Sequence, residues 1–287
     1  MRLVGCMGAR QLARDFGVSQ ETVVRHTARL ARHCMLFHLK VWNGAPPDGD
    51  VVVDGFESFE WSQYHPIHHH VAVEADTGFF LYHTDSELRR KGRMTAGQRK
   101  RRAWIEQTYG RPDPQAIRKD MTELLEVSLQ GTDQGVVRSD EHRSYPPAIK
   151  RVGCRIRHEQ TSSKAARTAR NPLFAVNELD LLIRHSQSNH KRETIAFSKR
   201  RQGSAEKLSI LLVWRNYVKS HREKRPGTTP AMRKGLLQKP LGIEELLGQR
   251  LFPGRIGLPA RWQEYYDRTI RTRELAVNRV HGLRYAY

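Results

Sequence analysis

The stretch Val51-Val52-Val53-Asp54-Gly55-Phe56 constrains this chain more than any other. Three β-branched residues with no polar residue between them predict a strand covered on both faces. Asp54 and Gly55 then end the run, which predicts a carboxylate at the lip of a sheet. A lone acid after a strand is commonly a turn residue. A second strand-then-acid, Val136-Val137-Arg138-Ser139-Asp140, changes that reading. Two strand ends can bring two carboxylates to one edge of one sheet. Joined by a third acid, such a pair is what a two-metal phosphoryl-transfer site requires.

The charge says what such a site would act on. The 287 residues carry a net charge of +20, which favours a polyanionic partner, most simply nucleic acid, with an anionic membrane as the other candidate. No apolar run approaches the ~20 residues of a spanning helix, and no secretory signal opens the sequence. The expectation is a soluble, cytoplasmic protein that binds nucleic acid and has no membrane partner. Cys6, Cys34 and Cys154 form no CxxC pair, so they read as isolated thiols. His65, His68, His69 and His70 invite a zinc reading. No HExxH motif or matching cysteine accompanies them, and alternation along a strand would put His69 on the opposite face from its neighbours. They read as strand packing or substrate contacts.

Residues 1–42 read as a helix-turn-helix. Residues 9–16 predict a short helix broken by Gly17, and Ser19 can cap a second helix over 20–32. Ala13 is small where two helices must cross, with Leu12, Phe16, Val18 and Val23 filling a small core. This is the spacing of a DNA-binding unit. Gln20, Glu21, Thr22, Arg25 and His26 would face the DNA. An ordinary helical hairpin would share the pattern.

Residues 50–220 read as an α/β domain. The Asp54 strand, a second strand through residue 74 and a third from Phe79 form a meander, with Gly78 giving the turn. Residues 89–102 hold eight Lys and Arg in fourteen positions. These are Arg89, Arg90, Lys91, Arg93, Arg99, Lys100, Arg101 and Arg102. They read as part of a phosphate-contacting insertion at about 87–116, although charge runs are often solvated faces. Trp104 and Tyr109 could stack or pack. An amphipathic helix over 114–130 leads to the Asp140 strand. A fifth strand at 154–158 follows, and a long helix then carries Glu178, Asp180, Arg184 and Lys191. Three strands, helix, strand, strand, helix is the order of a ribonuclease-H-like mixed sheet flanked by helices, here preceded by the small all-α helix-turn-helix.

At this point the sequence resembles the DDE-type transposases of bacterial insertion sequences. The resemblance rests on the helix-turn-helix, Val-Val-Val-Asp54-Gly-Phe-Glu-Ser, the stretch from Ser86 to Thr95, Ser139-Asp140-Glu-His, and Lys191-Arg-Glu-Thr-Ile-Ala-Phe-Ser-Lys199. It covers roughly residues 5–220. It implies movement of double-stranded DNA, by cut-and-paste or copying, with Mg²⁺ or Mn²⁺. It also implies recognition of the element's terminal repeats and a homo-oligomer assembled on DNA. Asp54 and Asp140 match the first two catalytic acids and metal ligands. The family's third acid falls near Asn177. Asp180, one helical turn on, is the expected replacement, with Glu178 and Glu193 as alternatives. Arg184 and Lys191 would contact phosphates. A zinc ribbon often precedes the helix-turn-helix in such families. None is encoded here, so a shortened N-terminus or a separate chain is expected. A helix-turn-helix regulator, a ribonuclease-H-like nuclease without strand transfer and a catalytically dead relic share much of this pattern.

Residues 208–218 predict an apolar helix that completes the fold. Residues 221–287 read as a basic helical tail. Its last helix, with Trp262, Tyr265, Tyr266, Arg268, Arg271 and Arg273, is expected to meet DNA or a second subunit.

Overall fold

The valine run forms the middle of a sheet, with Val51, Val52 and Val53 wholly buried. The computed structural model describes residues 2–153, 155–191, 194–221 and 227–271. Strands β1 (Val51–Phe59), β2 (Pro66–Glu74) and β3 (Phe80–Glu87) make an antiparallel meander. Gly78, at φ 69°, sits in the turn between β2 and β3. Strands β4 (Gln134–Ser139) and β5 (Arg155–Gln160) add in parallel on the other side of β1. The mixed sheet has the order β3-β2-β1-β4-β5.

Helices cover both faces. The side chain and carbonyl of Asp120 on α4 (Ala116–Ser128) accept bonds from Ser86 and Thr84 of β3, which fixes α4 against one face. The short α5 (Tyr145–Ile149) packs beside α4. On the other face lie α6 (Phe174–Ser186) and α7 (Arg201–Val213), where Ser204 meets His69 and Ser209 meets His83. The chain continues from α7 as a five-residue π turn, Trp214–Val218. Within it, Asn216 both accepts from the Phe80 N–H at 2.9 Å and donates to the Phe80 carbonyl at 2.8 Å. Its amide thus stands in for the partner strand that β3 lacks at its edge.

Several expectations are corrected. β1 does not end at Asp54 but runs on to Phe59, held by β2 along its whole length. The helix-turn-helix pair forms as α1 (Ala9–Phe16) and α2 (Gln20–Trp42), with Gly17 left-handed at φ 63° and Ser19 capping. α2 runs on well past residue 32, because no glycine or proline interrupts it before Asn43 turns left-handed. Its second half, including Met35, Phe37 and Trp42, joins the main core and packs along α7. Phe16 and Val18 are exposed, and the small separate core is Leu12, Ala13 and Val23. α6 stops at Ser186, so Lys191 lies outside the helix. Gln187, Ser188 and Asn189 are buried polar residues that fold back toward the following segment, Asn189 donating to Ser198 at 3.0 Å.

α3 (Ala96–Tyr109) stands between β3 and α4 with Ile105 as its single buried residue. After α7 come α8 (Pro230–Arg233), α9 (Ile243–Leu247) and α10 (Ala260–Asp267). Against expectation, α10 faces inward. Trp262 and Tyr265 are buried, and Trp262 donates to the His83 carbonyl at 3.0 Å. Arg32 lies over the Tyr266 ring, Arg268 pairs with Glu206, and Arg271 donates to the Tyr109 carbonyl. Arg273 lies outside the described residues.

Candidate active site

The register of β1 and β4 brings the first two acids together. Val51 pairs with Val137 and Val52 with Arg138, and Asp54 and Asp140 each stand two residues beyond that last couple. Neighbouring parallel strands at one level aim their side chains to one face. β4 ends at Ser139, so β1 loses its partner on that side where Asp54 begins to matter. The carboxyl ends of parallel strands are where open α/β sheets present ligand sites. Each acid is oriented locally. Asp54 Oδ1 accepts from the Gly55 N–H at 2.7 Å, and Asp140 Oδ1 from the His142 N–H at 2.9 Å.

Asp180 comes from α6, packed on the same face of the sheet. Its Oδ2 accepts from Arg184 Nε at 2.9 Å, and the Arg184 guanidinium lies 5.5 Å from the centre of the Phe56 ring. Asp180 Oδ1 is buried and has no hydrogen-bond partner. The three acids share one electrostatic field. Burial pushes the Asp54 carboxyl up to about 7, the charges of Asp140 and Asp180 add to the rise, and the Gly55 N–H and Arg167 oppose it. Among the described residues, no three His, Cys, Asp or Glu side chains are already gathered to hold one ion. The donor set nonetheless fits a hard divalent cation. All its atoms are carboxylate oxygens, one of them is buried and unpartnered, and the charges of Asp140 and Asp180 bear on Asp54.

The remaining candidates separate in space. Glu178 faces away and pairs with Arg215 at 3.1 Å, while Glu193 lies outside the described residues. Arg184 is engaged by Asp180. Lys191 is exposed and lines a cleft of about 460 Å³ with Arg89, Arg90, Lys91 and Glu57. Arg89 and Arg102 are drawn to Glu106, whereas Arg93, Arg99, Lys100 and Arg101 are exposed. On α2, Gln20, Glu21, Arg25 and His26 are exposed, and the half-buried Thr22 bonds to Ser19.

The histidine cluster has a role that the sequence did not show. His68 and His70 share a face and touch through their Nδ1 atoms at 3.1 Å, while His69 points the other way to Ser204. The Ser86 hydroxyl donates to the Asp120 carboxylate at 2.6 Å, so at 2.8 Å it must accept from His70 Nε2. His70 Nδ1 is then an acceptor, and His68 carries its proton on Nδ1. Burial holds both rings neutral, since it depresses their protonation well below the usual range. A Cβ at position 55 would stand 2.1 Å from the His68 ring, so glycine is required there. Gly55, next to Asp54, makes room for a polar chain reaching α4. Position 55 reads as a plain turn glycine in the sequence, and nothing there announces the ring above it.

No family model matches this sequence, and no curated protein does. Among solved structures, the chain is similar to one from the cryo-electron-microscopy structure of the simian T-cell lymphotropic virus intasome in complex with PP2A regulatory subunit B56 gamma. The identity is 15%, over 73% of this chain and 59% of that chain, with a TM-score of 0.26. The chain thus spans about three fifths of that neighbour's length, and likeness at this level carries no argument about the site. Among the described residues, no helix is long and apolar enough to cross a membrane.

Proposed function

We propose that this chain is a ribonuclease-H-like polynucleotidyl transferase, a DDE-type transposase that binds double-stranded DNA ends and cuts and transfers strands. One observation carries the reading. Asp54 on β1 and Asp140, the residue that follows β4, stand two residues beyond the same strand couple, and Asp180 reaches the same field from the helix packed behind them. A helix-turn-helix regulator has no use for three acids gathered at one sheet edge.

Asp54, Asp140 and Asp180 would hold Mg²⁺ or Mn²⁺, which when bound would activate the attacking water or 3′-hydroxyl and stabilise the leaving oxygen. The protein's own part is orientation. Gly55 and His142 aim two of the carboxylates through backbone N–H groups, and Arg184 aims the third. Lys191 with Arg90 and Lys91 gives the neighbouring cleft a cationic wall for phosphates. The exposed residues of α2 and α3 supply further duplex contacts, and assembly of copies on DNA belongs to the same reading.

The test is Mg²⁺-dependent cleavage of a labelled duplex carrying the element's terminal repeats. Asp54→Ala and Asp140→Ala are expected to abolish cleavage while leaving duplex affinity intact. Specific binding by the natural chain without cleavage under any divalent ion would sink the transferase reading in favour of a regulator or a relic.

A further inference from the structure

The β1–β2 hairpin tip carries a feature the acid site does not use. Trp61 is 41% exposed, and its backbone is left-handed at φ 59°. That conformation is costly for a bulky residue and persists only where surrounding contacts impose it. Here they do. The Trp61 N–H donates to the Ser198 carbonyl at 3.0 Å, and Glu60 is tied to the His65 carbonyl on one side and to the Arg201 N–H on the other. A large apolar ring is therefore held out in solvent by a strained, well-anchored turn. Beside it, Lys199 Nζ lies 5.6 Å from the centre of the Trp61 ring and 3.3 Å from that of Phe197, which packs on Phe59 at 4.9 Å. Arg90 lies 4.8 Å over the Tyr64 ring. Phe59, Phe197 and Arg90 line the cleft that also holds Glu57, three residues past Asp54, and through these ring contacts Trp61, Tyr64 and Lys199 stand beside it.

We infer that this hairpin corner is a binding site for an unpaired DNA strand, with a base stacked on Trp61 and phosphates met by Lys199 and Arg90. The inference rests on the nucleic-acid reading of the acid site and names the form of DNA its flank receives. Duplex DNA offers no base face to a solvent-exposed indole. A single strand does, and stacking of this kind accepts any base. The geometry suits a strand leaving the acids. β1 rises about 3.3 Å per residue, which sets Phe59 on the order of 17 Å beyond Asp54, within the reach of a few unpaired nucleotides.

The experiment is fluorescence anisotropy in EDTA, with a labelled 15-nucleotide oligothymidylate and, separately, a duplex of equal length. The key variant is Trp61→Gly, since glycine adopts the left-handed backbone without strain and the turn should keep its fold. It is expected to lose roughly 10- to 100-fold in affinity for the single strand, the scale of one base–aromatic stack, with duplex affinity unchanged. Trp61→Phe should recover most of the loss, and Lys199→Gln should weaken the single-strand complex and flatten its salt dependence. Unchanged single-strand affinity in Trp61→Gly, or equal losses for single strand and duplex, would overturn the inference. Because no cleavage is involved, failure of the transferase reading would show in the Mg²⁺ assay and leave this readout independent.

Discussion

Asp54 and Asp85 lie on the same face of the same sheet, yet their surroundings are opposite. Asp85, on β3, is wholly buried, with Arg201 against both its carboxylate oxygens, Tyr265 donating to it, and Arg201 also reaching Glu87. Burial would raise its carboxyl, but the Arg201 charge and hydrogen bonds prevail and hold it well below the usual range. Asp54 is half-buried, receives one N–H from its own neighbour, and has two further acids in its field; its carboxyl rises to about 7. The fold can neutralise a buried acid, as it does at Asp85 and again at Glu74 with Lys234. At Asp54 the charges of Asp140 and Asp180 outweigh that of Arg167, and the proposed metal site would supply the positive charge that the fold does not.

The largest expected effect breaks this comparison by chemistry. Asp54→Asn should reduce Mg²⁺-dependent cleavage by at least about 10³-fold, the scale on which one preorganised electrostatic group is felt, while the fold is retained. Asp85→Asn should do the reverse, harming stability first and activity only through it. Equal cleavage by Asp54→Asn and the natural chain would remove Asp54 from the chemistry.

Next comes the energy of the paired acid. Asp85→Ala leaves Arg201 buried without its main partner and should cost about 3–5 kcal/mol in urea unfolding. Replacing both residues by well-packed apolar ones should recover much of that loss. A double variant as unstable as the single one would show that Arg201 matters through Glu87 and the Arg271 carbonyl rather than through Asp85.

The unpaired acid should show itself in pH dependence, with the sign fixed by its raised carboxyl. Between its ordinary value of 3.8 and about 7, the folded chain holds a proton on Asp54 that the unfolded chain has released. The stability this proton contributes is complete below that window and is lost as the pH rises through about 7. Asp54→Asn and the natural chain should therefore melt alike near pH 4. Near pH 8 the variant should be more stable by a few kcal/mol, since each tenfold rise in proton affinity on folding corresponds to roughly 1.4 kcal/mol. Mg²⁺ should narrow that gap. A gap independent of pH would refute a raised Asp54 carboxyl.

How much of this could be read from the sequence follows from which forces are local. The valine run, the Gly78 turn and the Ser19 cap are local signals, and they place β1, the meander and α2 correctly at their starts. The ends of β1, α2 and α6 lie away from Asp54, residue 32 and Lys191, because tertiary packing rather than propensity extends or stops these elements. The convergence of Asp54 with Asp140 is legible, since strand order and position after a valine pair set their register. That the charge of Asp180 reaches Asp54 fits the helical spacing, and the pair with Arg215 holds Glu178 elsewhere. The His68–His70–Ser86–Asp120 chain and the inward turn of α10 depend on contacts between residues far apart in sequence, which no local pattern encodes.

The smallest expected effect carries the contrast of paired and unpaired charge to the cations of the basic insertion. Arg89 is held by Glu106 at 2.7 Å, whereas Lys100 is exposed on α3 with no ion pair among the described residues. A cation already neutralised has little left for a phosphate, while a solvated one can displace a DNA counterion. Lys100→Gln should leave the melting temperature unchanged and lower the slope of log affinity against log salt for duplex DNA by about 0.9, the value of one phosphate contact. Arg89→Gln should change that slope less, because the loss frees Glu106 to repel the backbone only weakly from its half-buried position. If Lys100→Gln leaves the slope unchanged, α3 does not lie along the duplex, and its charge serves solubility instead of binding.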